Sequence, residues 1–427
     1  MDDLIVPLTS AQATNADLVG PKAANLARLA QAGLPTPGGF SLTATAYRLQ
    51  LEEAGLTQAV RQFSTAEPGQ ARRLSVDIRL GLYERPISDA IRTPLLAAWH
   101  AQQKANPALS VLRSSALIED REGANFAGQF ESFLGLETED QVLTAVRACW
   151  AALWTTQARR YMANTDTVPS ETAMSVLVQP LVNAQASGGG LSMTAEGDML
   201  VSATWGLGSA IAQGEVVPDR IILSRDAELH ENTAGRKYHS ESCMHGGASQ
   251  PIEVPKNLVS TPCLAPQQAV ELGELMLKAE RLMGKPVEIE WARDKSGFKL
   301  LQSRPLQIEP APVPDDIWLQ HPGMRGHPAG VGWGSGRAVV INCECELSRV
   351  APGDVLVTCV AGPALSFILP TVAGVVAERG GSTSHLASLA RERGIPMVLG
   401  VLDATRLIPD GSQIAVDGIA GIVRWHN

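Results

Sequence analysis

The chain has 427 residues, of which 45% are hydrophobic, and a formal net charge of −9 at pH 7. This length exceeds what one ordinary hydrophobic core supports, so we expect a soluble globular protein with two or three domains. The negative charge argues against nucleic acid or an anionic membrane surface as the main partner, but it leaves small anionic ligands open.

The six cysteines are scattered and include no C-x-x-C pair, which favours a reduced, cytoplasmic location. Cys343 and Cys345 are interpreted as two residues on one face of a strand, in preference to a metal site. The N-terminal stretch MDDLIVPLTS begins with acidic residues and lacks the apolar core of a signal peptide, so we expect no export.

Along the first 308 residues, helical patterns such as PKAANLARLAQAG alternate with strand-like runs such as AMSVLVQPLV and FKLLQSRPL. This alternation predicts an α+β or mixed α/β fold. Neither a Walker A motif nor a G-x-G-x-x-G loop occurs, so a bound nucleotide would need another phosphate-binding device. In the strand SVLVQPLV, Gln179 and the backbone at Leu181 are candidates to face a base.

Two early motifs carry candidate phosphate ligands. Lys22 follows a Gly-Pro turn at a helix start, where its ammonium can reach a phosphate; the alternative is an ordinary solvated lysine. Arg113 stands beside two serines and precedes a turn that contains Gly128 and ends at Ser132. A guanidinium near glycine backbone suits a triphosphate, whereas the alternative is a surface ion pair with the acidic residues that follow.

The stretch VEIEWARDKSGFKLLQSRPL predicts two strands joined by a turn at residues 295–297. Glu288 and Glu290 alternate with apolar residues and therefore share one face, as do Gln302 and Arg304 in the second strand. Converging carboxylate and amide oxygens could bind Mg²⁺ and the phosphates it bridges. The alternative is a polar strand face with cross-strand salt bridges.

The Pro- and Gly-rich stretch at 307–330 predicts a hinge between two units. We expect domains at 1–308 and 329–427, joined by a linker at 309–328. Residues 355–377 carry no charge and are long enough to span a bilayer, but Pro363 and Pro370 favour a strand, a turn, a short helix and a second strand.

His385 follows two glycines and three hydroxyl residues in RGGSTSHLASLARERGIP. Apolar residues three or four apart predict a helix that begins here, with Thr383 or Ser384 as its N-cap. A helix N-terminus can hold an anion and disfavours the imidazolium, which leaves a neutral ring free to act as a nucleophile. The alternative is a histidine that only fills or caps the helix start.

The stretch GGSTSHLASLARERGIPMVLG resembles the phosphohistidine motif of the mobile domain shared by phosphoenolpyruvate synthase, pyruvate phosphate dikinase and rifampicin phosphotransferase. Earlier stretches, including VGPKAANLARLAQAG, RSSALIED, NFAGQFESFL and EIEWA, resemble in order and spacing the ATP-grasp domain of the same family. The resemblance covers nearly the whole chain. It implies an α+β multidomain fold, with an N-terminal ATP-grasp-type nucleotide-binding domain followed by a small α/β phosphohistidine swivelling domain.

The resemblance also implies roles for individual residues. His385 would be phosphorylated in turn, with Thr383 and Ser384 supporting the phosphate. The residues implied to bind ATP are Lys22, Arg113, Gly128, Ser132, Gln179, Leu181, Glu290, Gln302 and Arg304, of which Glu290 and Gln302 would hold Mg²⁺.

Five residues depart from the family pattern: Pro21 stands for a usual glycine, Ser132 for threonine, Ser209 for glutamate, Leu386 for alanine and Ser388 for isoleucine. We interpret the last two as mild departures that leave His385 undisturbed. The others leave room for altered nucleotide handling.

The resemblance implies a dikinase-type phosphotransferase in which ATP phosphorylates His385, giving AMP and phosphate overall. We expect a small-molecule phosphoryl acceptor, with its site either in this chain or on a separate subunit, because no pyruvate barrel follows the histidine motif. One alternative is a degenerate or regulatory nucleotide-binding protein or phosphocarrier without acceptor chemistry. Another is an ATP-grasp ligase, which the phosphohistidine motif disfavours.

Overall fold

The computed structural model describes residues 4–118, 132–163, 167–194, 196–213, 215–243, 249–306, 318, 320–321 and 323–426. The chain forms two compact units. The first contains residues 1–182, 243–250 and 299–302, and the second contains residues 183–242, 251–298 and 303–427. Both units combine helices with sheets, as the α+β prediction requires.

In the described part of the chain, nine α-helices precede the histidine motif: Ala16–Gln31 (α1), Ala44–Glu53 (α2), Thr57–Phe63 (α3), Pro68–Glu84 (α4), Asp89–Ala105 (α5), Glu139–Ala152 (α6), Thr156–Ala163 (α7), Ser209–Ala212 (α8) and Pro266–Met283 (α9). Two more follow, at His385–Glu392, here called the His385 helix, and at Ala404–Leu407. Short 3₁₀ helices lie at Ala11–Thr14, Pro169–Glu171, Glu344–Arg349, Pro363–Phe367 and Leu369–Thr371.

The strands up to residue 305 are Ile5–Pro7 (β1), Phe40–Leu42 (β2), Ser110–Ala116 (β3), Ser132–Leu136 (β4), Met174–Pro180 (β5), Ala186–Leu191 (β6), Met199–Trp205 (β7), Asp219–Leu223 (β8), Leu229–Thr233 (β9), His239–Cys243 (β10), Ser249–Glu253 (β11), Val287–Asp294 (β12) and Gly297–Pro305 (β13). The later strands are Gly323–Arg325 (β14), His327–Pro328 (β15), Trp333–Ile341 (β16), Val355–Thr358 (β17), Gly374–Ala377 (β18), Met397–Leu399 (β19), Gln413–Asp417 (β20) and Ile422–His426 (β21).

The first unit packs helices against a five-stranded sheet of order β1-β2-β5-β3-β4. Helix α5 buries Ile91, Leu95 and Trp99, which recur every four residues and so form one apolar stripe toward the core. The indole of Trp154 donates to the Tyr47 hydroxyl at 2.8 Å, which satisfies a polar group in a buried aromatic cluster. This core holds β3 and β5, the two strands that carry Arg113 and Gln179.

A six-stranded sheet has the order β13-β12-β6-β7-β8-β9, and β10 pairs with β11 separately. Strand β6 contains Gly188, Gly189 and Gly190. A Cβ at Gly188 would lie 1.9 Å from the Ser202 carbonyl oxygen, and one at Gly190 would lie 2.8 Å from the Met276 side chain of α9. Glycine is therefore required where the backbone of β6 approaches its neighbours this closely.

The second unit also contains an eight-stranded sheet of order β14-β21-β20-β16-β17-β18-β19-β15, in which β16 to β19 run parallel. Alternate residues of these strands enter two cores. Val339, Leu356 and Val375 pack with the His385 helix, whereas Val340 and Val357 face the other core. The rigid sheet thereby supports the helix that carries His385.

The structure confirms the strand, short-helix and strand arrangement predicted for residues 355–377. None of the helices in the described ranges is long and apolar enough to cross a membrane. The predicted domain boundaries at 1–308, 309–328 and 329–427 stay a prediction, since residues 307–317 lie outside the described part of the chain.

The strand predicted at Cys343 and Cys345 is wrong. Strand β16 ends at Ile341, and the chain turns into a 3₁₀ helix at Glu344–Arg349 that is capped by Cys343. The two cysteines form a disulfide across one intervening residue. A spacing of two residues fits one face of a strand, but the backbone turns out of the sheet before it reaches Cys343.

Candidate functional site

Lys22 lies at a break in α1. Gly20 has φ of 78°, and Pro21 restarts the helix directly after it. A Cβ at Gly20 would lie 2.2 Å from the Ser115 hydroxyl oxygen, so the backbone passes β3 where only glycine fits. The Lys22 side chain is buried and its Nζ donates to the Ser114 carbonyl at 3.0 Å. Lys22 is therefore held against β3, and the alternative of an ordinary solvated lysine is wrong.

Arg113 lies on β3, where its register partner on β4 is Ser132. Its Nη1 donates to the Leu301 carbonyl at 3.2 Å and lies 3.5 Å from Oε1 of Gln302. Lys22 contacts the backbone of the residue that follows Arg113, so four of the predicted ATP ligands share one neighbourhood of the first unit. Gly128 lies outside the described residues.

The predicted base-contacting residues lie at the end of β5. Gln179 is buried, and its Nε2 donates to the Gly38 carbonyl at 2.9 Å. The backbone N–H of Leu181 donates to the Leu109 carbonyl at 2.6 Å. Gln179 is paired with Val111, two residues before Arg113, which places the predicted base contacts beside the predicted phosphate contacts.

His385 lies in the first turn of its helix, as predicted, and the structure shows that it is exposed. The N-cap is Ser384, whose side chain accepts from the backbone N–H of Ala387 at 3.2 Å. The helix ends before Gly394, which has φ of 67°. The capped N-terminus therefore presents an accessible imidazole beside the backbone N–H groups that can bind an anion.

The loop before His385 lies against the glycine-rich strand β6. A Cβ added to Gly189 would lie 2.2 to 2.4 Å from side-chain atoms of Thr383. Gly189 is the register partner of Glu290 on β12, so Thr383 lies next to the strand pair that carries this carboxylate. The backbone N–H of Gly380 also donates to the Val216 carbonyl at 2.9 Å.

Arg304 contacts a carboxylate. Its Nη2 donates to Oε1 of the buried Glu288 at 2.8 Å, so the cross-strand salt bridge weighed as an alternative is present. The other oxygen of Glu288 accepts from Arg391 at 2.7 Å. Burial raises the pKa of the Glu288 carboxyl, but Arg304 and Arg391 lower it, and the net result lies below the usual range. Glu288 is therefore ionised at neutral pH.

Sequence reasoning did not single out Arg391, and it interpreted Ser388 as a mild departure. The Ser388 hydroxyl accepts from Arg304 and lies 3.3 Å from Nη2 of Arg391. In the sequence, the spacing of three residues indicates only that Ser388 and Arg391 share one face of a helix. It does not identify their partners, which lie far away along the chain. Glu290 and Gln302 fall in different compact units, so their predicted shared Mg²⁺ site stays a prediction.

Comparison with known protein families covers both parts of this arrangement. Residues 16–317 match the AMP/ATP-binding domain of pyruvate phosphate dikinase, and residues 350–421 match the mobile domain of PEP-utilising enzymes. The chain belongs to the phosphoenolpyruvate synthase and pyruvate phosphate dikinase family. The second match contains His385 and the first contains every residue predicted to bind ATP.

The curated relatives that the chain matches are longer proteins. The chain is 32% identical to the phosphoenolpyruvate synthase of Aeropyrum pernix over 95% of its own length and 56% of that relative. It is 32% identical to the enzyme of that name from Pyrococcus furiosus, with the same coverage. For the phosphoenolpyruvate synthase of Escherichia coli the identity is 30%, over 95% of this chain and 55% of the relative. The chain thus spans little more than half the length of these relatives.

Proposed function

We propose that the chain is a dikinase-type phosphotransferase in which ATP phosphorylates His385, giving AMP and phosphate overall. The observation that carries the proposal is the exposed His385 at a capped helix N-terminus, with its loop lying against the Gly189 and Glu290 strand pair of the family's ATP-binding domain. Two phosphoanhydride bonds must break to give these products: an imidazole nitrogen bonds to the β-phosphorus as the bond to AMP breaks, and water then cleaves the terminal phosphate, which leaves one phosphoryl group on His385. The phosphate oxygen of AMP takes the electron pair in the first cleavage, and inorganic phosphate leaves in the second.

The predicted ATP ligands have chemistry that suits this step. Lys22 and Arg113 would bind phosphate oxygens, and Gln179 with the backbone at Leu181 would contact the base. Ser132 and Gly128 would complete the phosphate loop, and Arg304 would reach the phosphates from β13. Thr383 and Ser384 would support the phosphate on His385.

Glu290 and Gln302 would hold Mg²⁺ together with ATP. Mg²⁺ in such sites takes one or two carboxylates plus substrate phosphates and water, which fits one carboxylate and one amide oxygen. No group of three or more His, Cys, Asp or Glu side chains in the described ranges is arranged to hold a metal ion. A Mg²⁺ that arrives with the nucleotide, when bound, supplies charge neutralisation at the phosphates.

We also propose that the phosphoryl group passes from His385 to a small-molecule acceptor. The histidine domain would swing on the linker at 309–328 to reach it, with the acceptor bound either by this chain or by a separate subunit. The relatives' name, phosphoenolpyruvate synthase, makes pyruvate the first acceptor to test. Neither nucleic acid nor membrane is expected as a partner, and a cytoplasmic location is proposed.

The test is intact mass spectrometry after incubation with Mg²⁺ and ATP, with the nucleotide products resolved in parallel. The wild type should gain one phosphoryl group and release AMP, and His385→Asn should gain none. His230→Asn is the matched control, because His230 is a half-exposed histidine on β9 whose carboxylate neighbour is Asp198. The adduct should be lost in acid, as a phosphorus–nitrogen bond is, and retained in alkali.

Two results would overturn the proposal. Failure of the wild type to form adduct or AMP would favour the nucleotide-binding or phosphocarrier alternative. Release of ADP in place of AMP would favour the ligase alternative.

A further inference from the structure

Glu288 joins three parts of the second unit. Its two carboxylate oxygens accept from Arg304 on β13 at 2.8 Å and from Arg391 in the His385 helix at 2.7 Å. The side chains of Glu288 and Arg391 are both over 90% buried. We call Glu288, Arg304, Ser388 and Arg391 the Glu288 clamp.

The clamp holds the chain on both sides of His385. Before the histidine, the Ser382 carbonyl accepts from Nη1 of Arg391 at 2.5 Å. After it, the Ser388 hydroxyl, one helical turn along, accepts from Arg304. Residues on both sides of the histidine are thus tied through guanidinium groups to one carboxylate on β12.

The charges of the buried Glu288 and Arg391 side chains stabilise each other. Burial lowers the pKa of Arg391 and Glu288 raises it, so the carboxylate opposes the cost of keeping this guanidinium out of water. Removing one partner of a buried pair leaves an uncompensated buried charge, which is strongly destabilising. The contacts are therefore specific to these partners.

We propose that the Glu288 clamp docks the His385 helix on the strand pair β12 and β13, and that Arg391 and Ser388 are positioning residues for phosphorylation of His385. The docking role stands on the contacts alone. The catalytic consequence rests on the proposed dikinase function. This chain has Ser388 where the family usually has isoleucine, and the proposal gives that hydroxyl a role as the acceptor for Arg304.

Hydrogen exchange of the backbone amides of residues 385–392 tests docking without any need for activity. Glu288→Gln changes the sheet and leaves the helix sequence intact, yet it should raise exchange in the helix by about tenfold. Arg391→Met should do the same, and the double variant should add little to the larger single effect. Arg391→Lys, which keeps the charge, should recover part of the protection.

Two further measurements separate docking from a local folding defect. Arg391 also contacts the backbone of its own domain, so a purely local role predicts faster exchange in Arg391→Met but not in Glu288→Gln. Amides of β16 and β17 should keep their protection in every variant. Arg406→Met is the control, since Arg406 is 75% exposed and pairs with Asp403 at 3.5 Å. Unchanged helix exchange in Glu288→Gln would overturn the proposal.

The catalytic consequence is read from single-turnover phosphorylation of His385 by ATP. Ser388→Ala and Arg391→Lys should lower the rate constant at saturating ATP by about tenfold and leave the ATP concentration for half-maximal rate unchanged. If both variants phosphorylate His385 at the wild-type rate, the positioning role is wrong. Absence of any adduct in the wild type would instead reject the dikinase function, and hydrogen exchange would still decide the docking role.

Discussion

Two cations of the first unit and two of the second contact different kinds of partner. In the first unit, Lys22 and Arg113 donate to the backbone carbonyls of Ser114 and Leu301. In the second unit, Arg304 and Arg391 donate to the carboxylate of Glu288. A carbonyl contact orients a cation without neutralising it, whereas a carboxylate contact does both.

This difference suggests separate tasks. We propose that Lys22 and Arg113, which carbonyl groups orient, bind the phosphates of a nucleotide. Arg304 and Arg391, which share the Glu288 carboxylate, connect β13 and the His385 helix to β12. Anion binding is the main role that we propose for the first group, Lys22 and Arg113, and docking is the main role that we propose for the second group, Arg304 and Arg391; four predictions follow.

The largest effect is expected from removing charge in the first group. Arg113→Met and Lys22→Met should each slow phosphorylation of His385 by about 10²–10³-fold, because each loses a charged donor to the transferring phosphates. Arg92→Met is the matched control, since Arg92 is half-exposed and pairs with Asp89 at 3.1 Å on α5. The rate is measured by phosphoryl incorporation at saturating ATP. Loss of stability with an unaltered rate would end the distinction between the two groups.

The second prediction concerns the pH dependence of stability in the second unit. Burial and the nearby Arg220 lower the pKa of His327, a hydrogen bond to the Pro218 carbonyl partly opposes both, and the net pKa is about 4. The unfolded state therefore binds the proton first, and stability should fall between about pH 6.5 and 4 by roughly 3 kcal/mol. His327→Gln should remove this part of the pH dependence.

The measurement is the free energy of unfolding from denaturant titrations across that pH range, compared between wild type and variant. Carboxylates titrate nearby, so the difference between the two profiles is the relevant quantity. His230→Gln should follow the wild-type profile, because His230 is half-exposed. Identical profiles for wild type and His327→Gln would show that His327 does not titrate as described.

The third prediction tests the backbone that places Lys22. Gly20→Ala should lower the free energy of unfolding by about 2 kcal/mol, since the new Cβ meets Ser115 at a positive φ. Gly33→Ala is a matched control, because Gly33 has nearly the same φ, 80°, and its added Cβ meets nothing within 4 Å. Only Gly20→Ala should also slow phosphorylation. Equal effects of the two substitutions on both quantities would assign the loss to φ alone.

The residues that sequence reasoning placed correctly have local signals. The Ser384 cap follows from hydroxyl residues next to an apolar helical pattern, and the β12 and β13 hairpin follows from alternation around one turn. Local patterns could not show that Lys22 is buried, because its contact on β3 lies 92 residues away. From sequence alone, a charged side chain with no identified partner is predicted to be exposed to solvent.

The Glu288 clamp could not be predicted either, because its contacting residues are far apart in the sequence. Arg391 and Glu288 are 103 residues apart, and Ser388 was visible only as a substitution. The prediction at Cys343 was wrong for a different reason, because two residues on one face of a strand have the same spacing as the two cysteines at this turn. The Glu288 contacts join distant segments, which a single sequence does not show as a local pattern.

The smallest expected effect, in the second unit, comes from the cap of the His385 helix. Ser384→Ala should cost about 1 kcal/mol of stability, because the backbone N–H of Ala387 loses its acceptor. Thr138→Ala is the control in the first unit, where Thr138 caps α6 by accepting from Gln141 at 3.3 Å. Both variants should lose similar stability in denaturant unfolding, but only Ser384→Ala should also slow phosphorylation, because its helix start orients His385. If both variants slow phosphorylation equally, the cap acts through general stability, and the anion-binding role of this helix N-terminus is rejected.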